Sequence, residues 1–257
     1  MDAETYSNDD VAKYLNENFV NVRVNTDEDK AMVEKFAVRG IPDTRILDAQ
    51  GAVLVKIVGH DPDFLAKVQA VGAVAEAERK VAEKPGDVAT MLEAVDIYLK
   101  LEKWESAGRL CLKALEADPE NKAGRQVETL YKFGLTWLRV DNVEECESAW
   151  KQAGILDPDN KTGLIDDIQF ARAEKQAKDE DHMAAMESLK RFVERYPDSD
   201  RVPDAKYLLG TSQFFSEETD EAVKTWKSLV ETHPGTAAAK KAEKSLKFAE
   251  KKAKKKQ

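Results

Sequence analysis

Four short stretches of this sequence, LEADPEN, GILDPDN, ERYPDSD and ETHPGTA, each close an amphipathic run with a proline, at Pro119, Pro158, Pro197 and Pro234. Their spacings of 39, 39 and 37 residues are the feature that most narrows the fold. A fixed period in that range marks a chain of repeated supersecondary units, each burying its apolar face by stacking on a neighbour. Proline suits the punctuation because it ends the second helix of a unit and sets the turn. Ala, Glu, Lys and Leu dominate the later part of the chain while glycine and proline are scarce, a composition for stacked helices. The length, 257 residues, leaves room for such an array and one further domain.

Small and large residues recur at fixed places within each unit. The first unit supplies Met91, Tyr98, Ala107, Cys111 and Ala114, and the second Leu130, Phe133, Gly134, Trp137, Cys146, Trp150 and Ala153. The third and weakest supplies Ala173, Ala185, Leu189 and Phe192, and the fourth Leu209, Gly210, Ala222 and Trp226. This pattern resembles the tetratricopeptide repeat, whose usual period of about 34 residues is a few shorter. The resemblance implies an all-α solenoid of four helical hairpins over residues 85–235, then a capping helix and basic tail over 236–257. Small residues would let the two helices of a hairpin approach, while Trp150 and Trp226 would fill the space against the next repeat.

Residues 1–84 read differently, as α/β. SNDD offers N-cap oxygens to a helix striped by Val11, Tyr14, Leu15 and Phe19. In NFVNVRVN, Val20, Val22 and Val24 alternate with polar residues at strand spacing. A short helix follows over Asp27–Phe36, then strands TRIL and AVLVKIV joined at DAQG, then a long helix with Pro62 near its first turn. At VRGIP the stretch is similar to the second half of a thioredoxin fold, in which Gly-Ile-Pro with a cis proline precedes a strand. Gly59 in IVGH matches that family's closing glycine, and Met1–Val20 resemble the segment that follows W-C-x-x-C in bacterial thioredoxin-like proteins.

That resemblance, over residues 1–70, implies a truncated thioredoxin-like α/β domain that begins past the redox motif. Ile41, Pro42 and Asp43 would form the loop against which an extended substrate docks, with Asp43 bringing negative charge to it. One missing strand would lie in the middle of the sheet. The expectation is a three-stranded remnant, less stable than the rest, with open edges or a strand shared between two copies.

Little else in the sequence carries chemistry. No cysteine precedes Cys111, so thiol–disulfide exchange at the family site lacks its thiolate. Cys111 and Cys146 sit in helical patterns as small core residues, and the sequence leaves a disulfide between them open. His60, His182 and His233 are isolated, so no metal site is expected. Phosphate-binding and serine-hydrolase motifs are absent, and no cofactor is implied. The net charge of −9 argues against nucleic acid. The exception is the lysine-rich end, KKAEKSLKFAEKKAKKKQ, which reads as a solvated helix end, an acidic-partner site or a membrane-surface site. No apolar run approaches the roughly 20 residues that span a bilayer. No signal peptide is visible, which reads as cytoplasmic for the chain as given and leaves the periplasm open if a segment precedes it.

Binding is what remains. The tetratricopeptide resemblance places a peptide groove on the first helix of each hairpin. Its candidate residues here are Leu92 and Asp96, then Tyr131, Lys132, Leu135 and Arg139, then Phe170, Glu174 and Lys178, then Tyr207, Thr211 and Phe215. Aromatic anchors among lysine and arginine suit an extended acidic or C-terminal peptide. Two functions follow: a redox-inactive relative of thiol–disulfide oxidoreductases with a protein-binding array, or a non-enzymatic scaffold whose thioredoxin-like segment only caps the array.

Overall fold

The computed structural model describes residues 5–47, 51 and 53–255, and the chain forms two compact units that divide after Arg125. The first unit contains α1 (Asp9–Asn18), α2 (Lys30–Lys35), β1 (Asp43–Leu47), β2 (Val53–Val58), α3 (Phe64–Glu83), α4 (Val88–Lys100) and α5 (Trp104–Ala117). Asn8 caps α1, its side-chain oxygen accepting from the Asp10 and Val11 amides at 3.0 and 3.3 Å. The stripe on α1 then meets Ile46, Ile57, Phe64, Val68 and Val71 in a small core, with Tyr14, Leu15 and Phe19 at its edge.

The sheet has two strands among the described residues, not three. β1 and β2 pair antiparallel, Asp43 opposite Val58 and Ile46 opposite Val55, and all of the expected DAQG connection except Gly51 lies outside the described residues. Residues 19–25 form no strand, and Val20 and Val22 stand 94% and 77% exposed. Alternating valines favour a strand only where a partner ladder receives them. Here no described strand lies beside them, so the periodicity has nothing to pair with. The Ile41–Pro42 bond is cis, as the loop resemblance implies.

The second unit is a run of helical hairpins: α6 (Gln126–Arg139) with α7 (Val143–Leu156), α8 (Ile165–Lys178) with α9 (His182–Arg195), and α10 (Val202–Phe215) with α11 (Thr219–Thr232). α12 (Ala237–Lys255) packs on the last of them. The pair α4–α5 is a hairpin of the same kind in the first unit.

Three devices recur. Each first helix ends on a residue with positive φ: Glu102 (56°), Asp141 (61°), Glu180 (63°) and Glu217 (67°). The next amide then reaches back to a carbonyl five residues earlier, as in Asn142 to Trp137 at 2.9 Å and Glu218 to Gln213 at 2.9 Å. This is a Schellman closure made without glycine.

The turns after α5 and α7 share a second device. In each, an aspartate after the helix, Asp118 or Asp157, accepts from two backbone amides four and five residues on, at 2.7–2.8 Å. The proline that follows cannot continue the helix.

The third device fills the hairpins. Trp150 and Trp226 pack first inside their own hairpins and only their outer sides meet the next element, as where Arg172 of α8 lies over the Trp150 ring at 5.5 Å. Each indole lies on the glycine of its own hairpin's first helix, Gly134 or Gly210, and its Nε1–H donates to the carbonyl of Tyr131 or Tyr207 at 3.2 Å. A side chain at either glycine would collide with the ring, at 2.5 Å for Gly210. The α8–α9 hairpin holds Ala173 and Leu189 at the equivalent positions, both fully buried, and α4–α5 holds Val95 and Cys111. Gly with Trp and Ala with Leu are two ways of filling similar space.

Gly210→Ala is expected to cost about 1–3 kcal/mol through overpacking. Glu217→Gly is expected to stabilise by about 0.5–1 kcal/mol by relieving the left-handed backbone of a non-glycine residue. Urea unfolding of both variants against the parent checks the pair of signs.

Candidate binding face of the second unit

The predicted groove residues take different roles in the structure. Leu92, in the first unit, is fully buried in its own helix packing, so it offers nothing to a ligand; Asp96 is half-buried. Lys132 is 8% exposed, and its ammonium meets Glu128 one turn earlier at 2.9 Å, so it is not an open cation either. Glu174 and Lys178 pair with each other at 3.2 Å on α8. Leu135 is half-buried and Arg139 exposed at the end of α6.

Tyr131, Phe170 and Tyr207 share one position on α6, α8 and α10, the sixth residue of each helix, and all are half-buried. The first two adjoin a polar cluster. The Arg201 guanidinium lies over the Phe170 ring at 5.9 Å and donates from Nε to Asp167 at 2.6 Å. Asp166, buried beside it, accepts from Ser199 Oγ at 2.5 Å and from Asn160 at 2.9 Å. Burial first, then the charge of Asp167, pushes the Tyr131 hydroxyl up to about 12.

Tyr207, Thr211 and Phe215 come together at a second place, with a helix that the sequence reading treated only as a cap. They line a cavity of about 350 Å³ between α10 and α12, whose other walls are Phe214, Trp226, Lys241, Lys244, Ser245 and Phe248. Phe214 is the hinge of an aromatic cluster, 5.9–6.0 Å from the rings of Trp226, Phe215 and Phe248. Phe215 and Phe248 are nevertheless 63% and 61% exposed. Lys241 stands over the Tyr207 ring at 5.7 Å. The sequence signal for this place is the spacing of Lys241, Ser245 and Phe248 along one face of α12, on which Phe248 interrupts an Ala- and Lys-rich run.

A further cleft, about 420 Å³ between α7 and α8, is walled by Trp150, Ile165, Ile168 and the pair Glu147–Arg172, joined at 2.9 Å. Lys151 completes that wall, so the Glu147–Arg172 pair leaves one positive charge on it.

In the first unit the Ile41–Asp43 loop is occupied by the protein itself. The Pro42 carbonyl accepts from the Gly59 amide at 2.9 Å. Asp43 does not project charge: Arg45 grips both its oxygens at 2.8 and 3.0 Å, Lys56 lies 3.7 Å away, and its side chain is 3% exposed. The hydrogen bond from Arg45 holds this carboxyl below the usual range against its burial. Ile41 is 73% exposed.

No disulfide joins Cys111 and Cys146, both are buried, and burial raises the Cys146 pKa to about 12. Among the described residues no group of three or more His, Cys, Asp or Glu is placed to hold a metal ion. No helix there is long and apolar enough to cross a membrane.

The tetratricopeptide-repeat family model matches residues 169–199 and 204–236, which are the α8–α9 and α10–α11 hairpins. Both hairpins are tetratricopeptide repeats. The repeat that looks weakest in sequence is thus one of the two the model matches. Among solved structures, TTC0263, a thermophilic TPR protein in Thermus thermophilus, is 16% identical, with 73% of this chain and 93% of that chain covered and a TM-score of 0.51. YrrB, a TPR protein with an unusual peptide-binding site, is 18% identical over 71% of this chain and 88% of its own, at a TM-score of 0.46. MamA is 19% identical over 68% and 95%, at 0.48. No curated protein matches the chain. The likeness to TTC0263 is one of fold, a TPR array, and none of these comparisons supports the thioredoxin-like resemblance of the N-terminal segment.

Two solution measurements test this local chemistry. Tyr98, whose hydroxyl donates to Glu78 at 2.9 Å, is also raised to about 12, by burial first. Both tyrosines therefore favour the protonated folded state. Their contribution is complete below the ordinary tyrosine value near pH 10 and is lost as pH rises through about 12. An alkaline ultraviolet titration should show Tyr98 and Tyr131 ionising late, and stability falling in that window. Ellman's reagent should find both cysteines slow to react in the native protein and fast in denaturant.

Proposed function

We propose that this chain is a non-catalytic TPR scaffold whose second unit binds an extended segment of a partner protein. The observation that carries the reading is the aromatic series Tyr131, Phe170 and Tyr207, repeated at one position of three successive first helices and left half-buried. Half-buried aromatics at a fixed interval give a peptide regularly placed apolar contacts at low entropic cost, and such residues dominate binding energy at interfaces. The array is taken to run over residues 85–235, closed by 236–257.

Descent of the N-terminal segment from thioredoxin-like proteins is the second reading, favoured by one observation, the antiparallel β1–β2 ribbon between Pro42 and Gly59 with α3 packed on it. It brings no redox activity to this chain. The only thiols lie outside that segment, and both are buried. Thiol–disulfide exchange needs an accessible, acidified thiolate.

A displayed peptide library selected on the full chain should yield saturable binders. Phe170→Ala and Tyr207→Ala, each verified as folded by circular dichroism, should weaken them by about 1–3 kcal/mol, while insulin reduction should stay at background. Binders indifferent to both substitutions would place the site elsewhere, and reproducible insulin reduction would revive the oxidoreductase.

A further inference from the structure

Resting on that reading, we infer that the cavity between α10 and α12 takes a bulky apolar side chain from an acidic stretch of the partner. The shape of the site decides the first half. Two phenylalanines, Phe215 and Phe248, stay more than half exposed at its rim, while Phe214 and Trp226 form a packed floor. About 350 Å³ accommodates one large aromatic or aliphatic side chain with part of its backbone. Exposed aromatics around a firm apolar floor form a pocket for an anchor residue.

Charge decides the second half. Lys241 and Lys244 stand on the rim, both exposed, and the lining contains no acidic residue. Neither lysine forms an ion pair with a described carboxylate; Lys241 instead lies over the Tyr207 ring. This sets the site apart from the polar cluster at Tyr131, where Asp167 already holds Arg201, and from the α7–α8 cleft, where Glu147 holds Arg172 and Lys151 alone stands beside an acid-bearing wall with no phenylalanine in it. At the α10–α12 cavity the cations have no internal partner, so an incoming carboxylate gains attraction without displacing one. The last 18 residues carry nine lysines and two glutamates, which leaves a net −16 on the rest of the chain. An acidic segment is therefore steered to α12 and repelled elsewhere.

The same lysines with Phe248 would also suit an anionic lipid surface, so the test separates the two. Fluorescence anisotropy of a labelled peptide with one phenylalanine flanked on each side by Asp and Glu is measured against the full chain. The peptide is compared with its Phe→Ala form and with a form in which the acids are lysines. Protein variants are Lys241→Glu/Lys244→Glu, Phe248→Ala, and the control Lys240→Glu/Lys247→Glu, which makes the same charge change at exposed positions outside the cavity.

The expected result is binding that weakens about tenfold with Phe248→Ala or the peptide's Phe→Ala change, and at least as much with Lys241→Glu/Lys244→Glu. The control should lose much less, and the lysine-containing peptide should not bind. Equal losses from both charge pairs would overturn the pocket in favour of a diffuse basic surface. So would co-sedimentation with phosphatidylcholine vesicles containing phosphatidylglycerol, at affinities the acidic peptide does not reach. If library-selected peptides still depend on Phe170 but ignore Lys241, Lys244 and Phe248, this inference fails and the scaffold reading stands. If no peptide binds the folded protein, both fail.

Discussion

The second unit depends on how closely the two helices of a hairpin can approach. An indole set against a bare backbone, Trp150 on Gly134 and Trp226 on Gly210, brings the helices together and orders the ring at once. The indole N–H donates to a carbonyl of the facing helix one turn before the glycine. A helical carbonyl can accept this second bond because it has a second lone pair. The tryptophan is thus placed by one steric and one polar constraint, both supplied by the first helix. With most of the ring held inside its own hairpin, much of the contact with the next repeat falls to other residues. Between α8, α9 and α10 these are Phe192, Met186, Val202 and Leu209; around α12 they are alanines, Ala238, Ala242 and Ala249. Alanine contacts let α12 lie close to α10 and α11 without filling the space above Phe214. That is the physical origin of the cavity there.

The N-terminal segment shows the opposite condition. A two-stranded ribbon has little stability of its own, and here it is held by what covers one face: α1 and α3 through Val11, Phe64 and Val68, and Tyr6 through its contact with Thr44 at 2.5 Å. Among the described residues nothing pairs with the ribbon's edges, and Val53, Leu54 and Val58 are more than 40% exposed. Asp43 and Arg45 stabilise the start of β1 rather than preparing a docking loop. A buried carboxylate gripped by a guanidinium is costly to disturb, so the sequence position that suggested a charge offered to a substrate is a charge already satisfied.

Legibility followed the range of the forces involved. Helix-pair architecture was readable because proline and the small–large alternation act over a few residues and repeat. Their recurrence at 39 residues made local signals additive. The strand assigned to residues 19–25 failed because alternation reports only a capacity for pairing, and pairing is decided by a partner distant in sequence. Leu92 and Lys132 failed as groove residues for a related reason. Position on a first helix fixes the direction of a side chain to within a turn, whereas exposure depends on the neighbours that close over it. The α10–α12 cavity was half visible: Tyr207, Thr211 and Phe215 were named from the repeat pattern, but Lys241 and Phe248 lie in a helix outside any repeat match. A lysine-rich terminal helix reads as solubilising until the helix beside it shows which of its faces is occupied.

The placement of charge then follows from the placement of helices. α12 stands next to α10, where a further first helix would stand in a longer array, so its exposed side continues the aromatic series of α6, α8 and α10 rather than simply closing it. An ordinary cap needs only a polar outer face. α12 instead adds a phenylalanine and two unpaired lysines at the point where the series ends. Along α6 and α8 three charge pairs form: Lys132 with Glu128, Glu174 with Lys178, and Asp167 with Arg201 at the start of α10. Those pairs leave the half-buried aromatics as the open chemistry of that stretch, which under the proposed reading would tolerate many peptide sequences. At α12 the cations would then add a requirement for acid. On that reading one face would combine a permissive apolar track with a selective end, and the selectivity would reside in the helix whose composition made it look least specific.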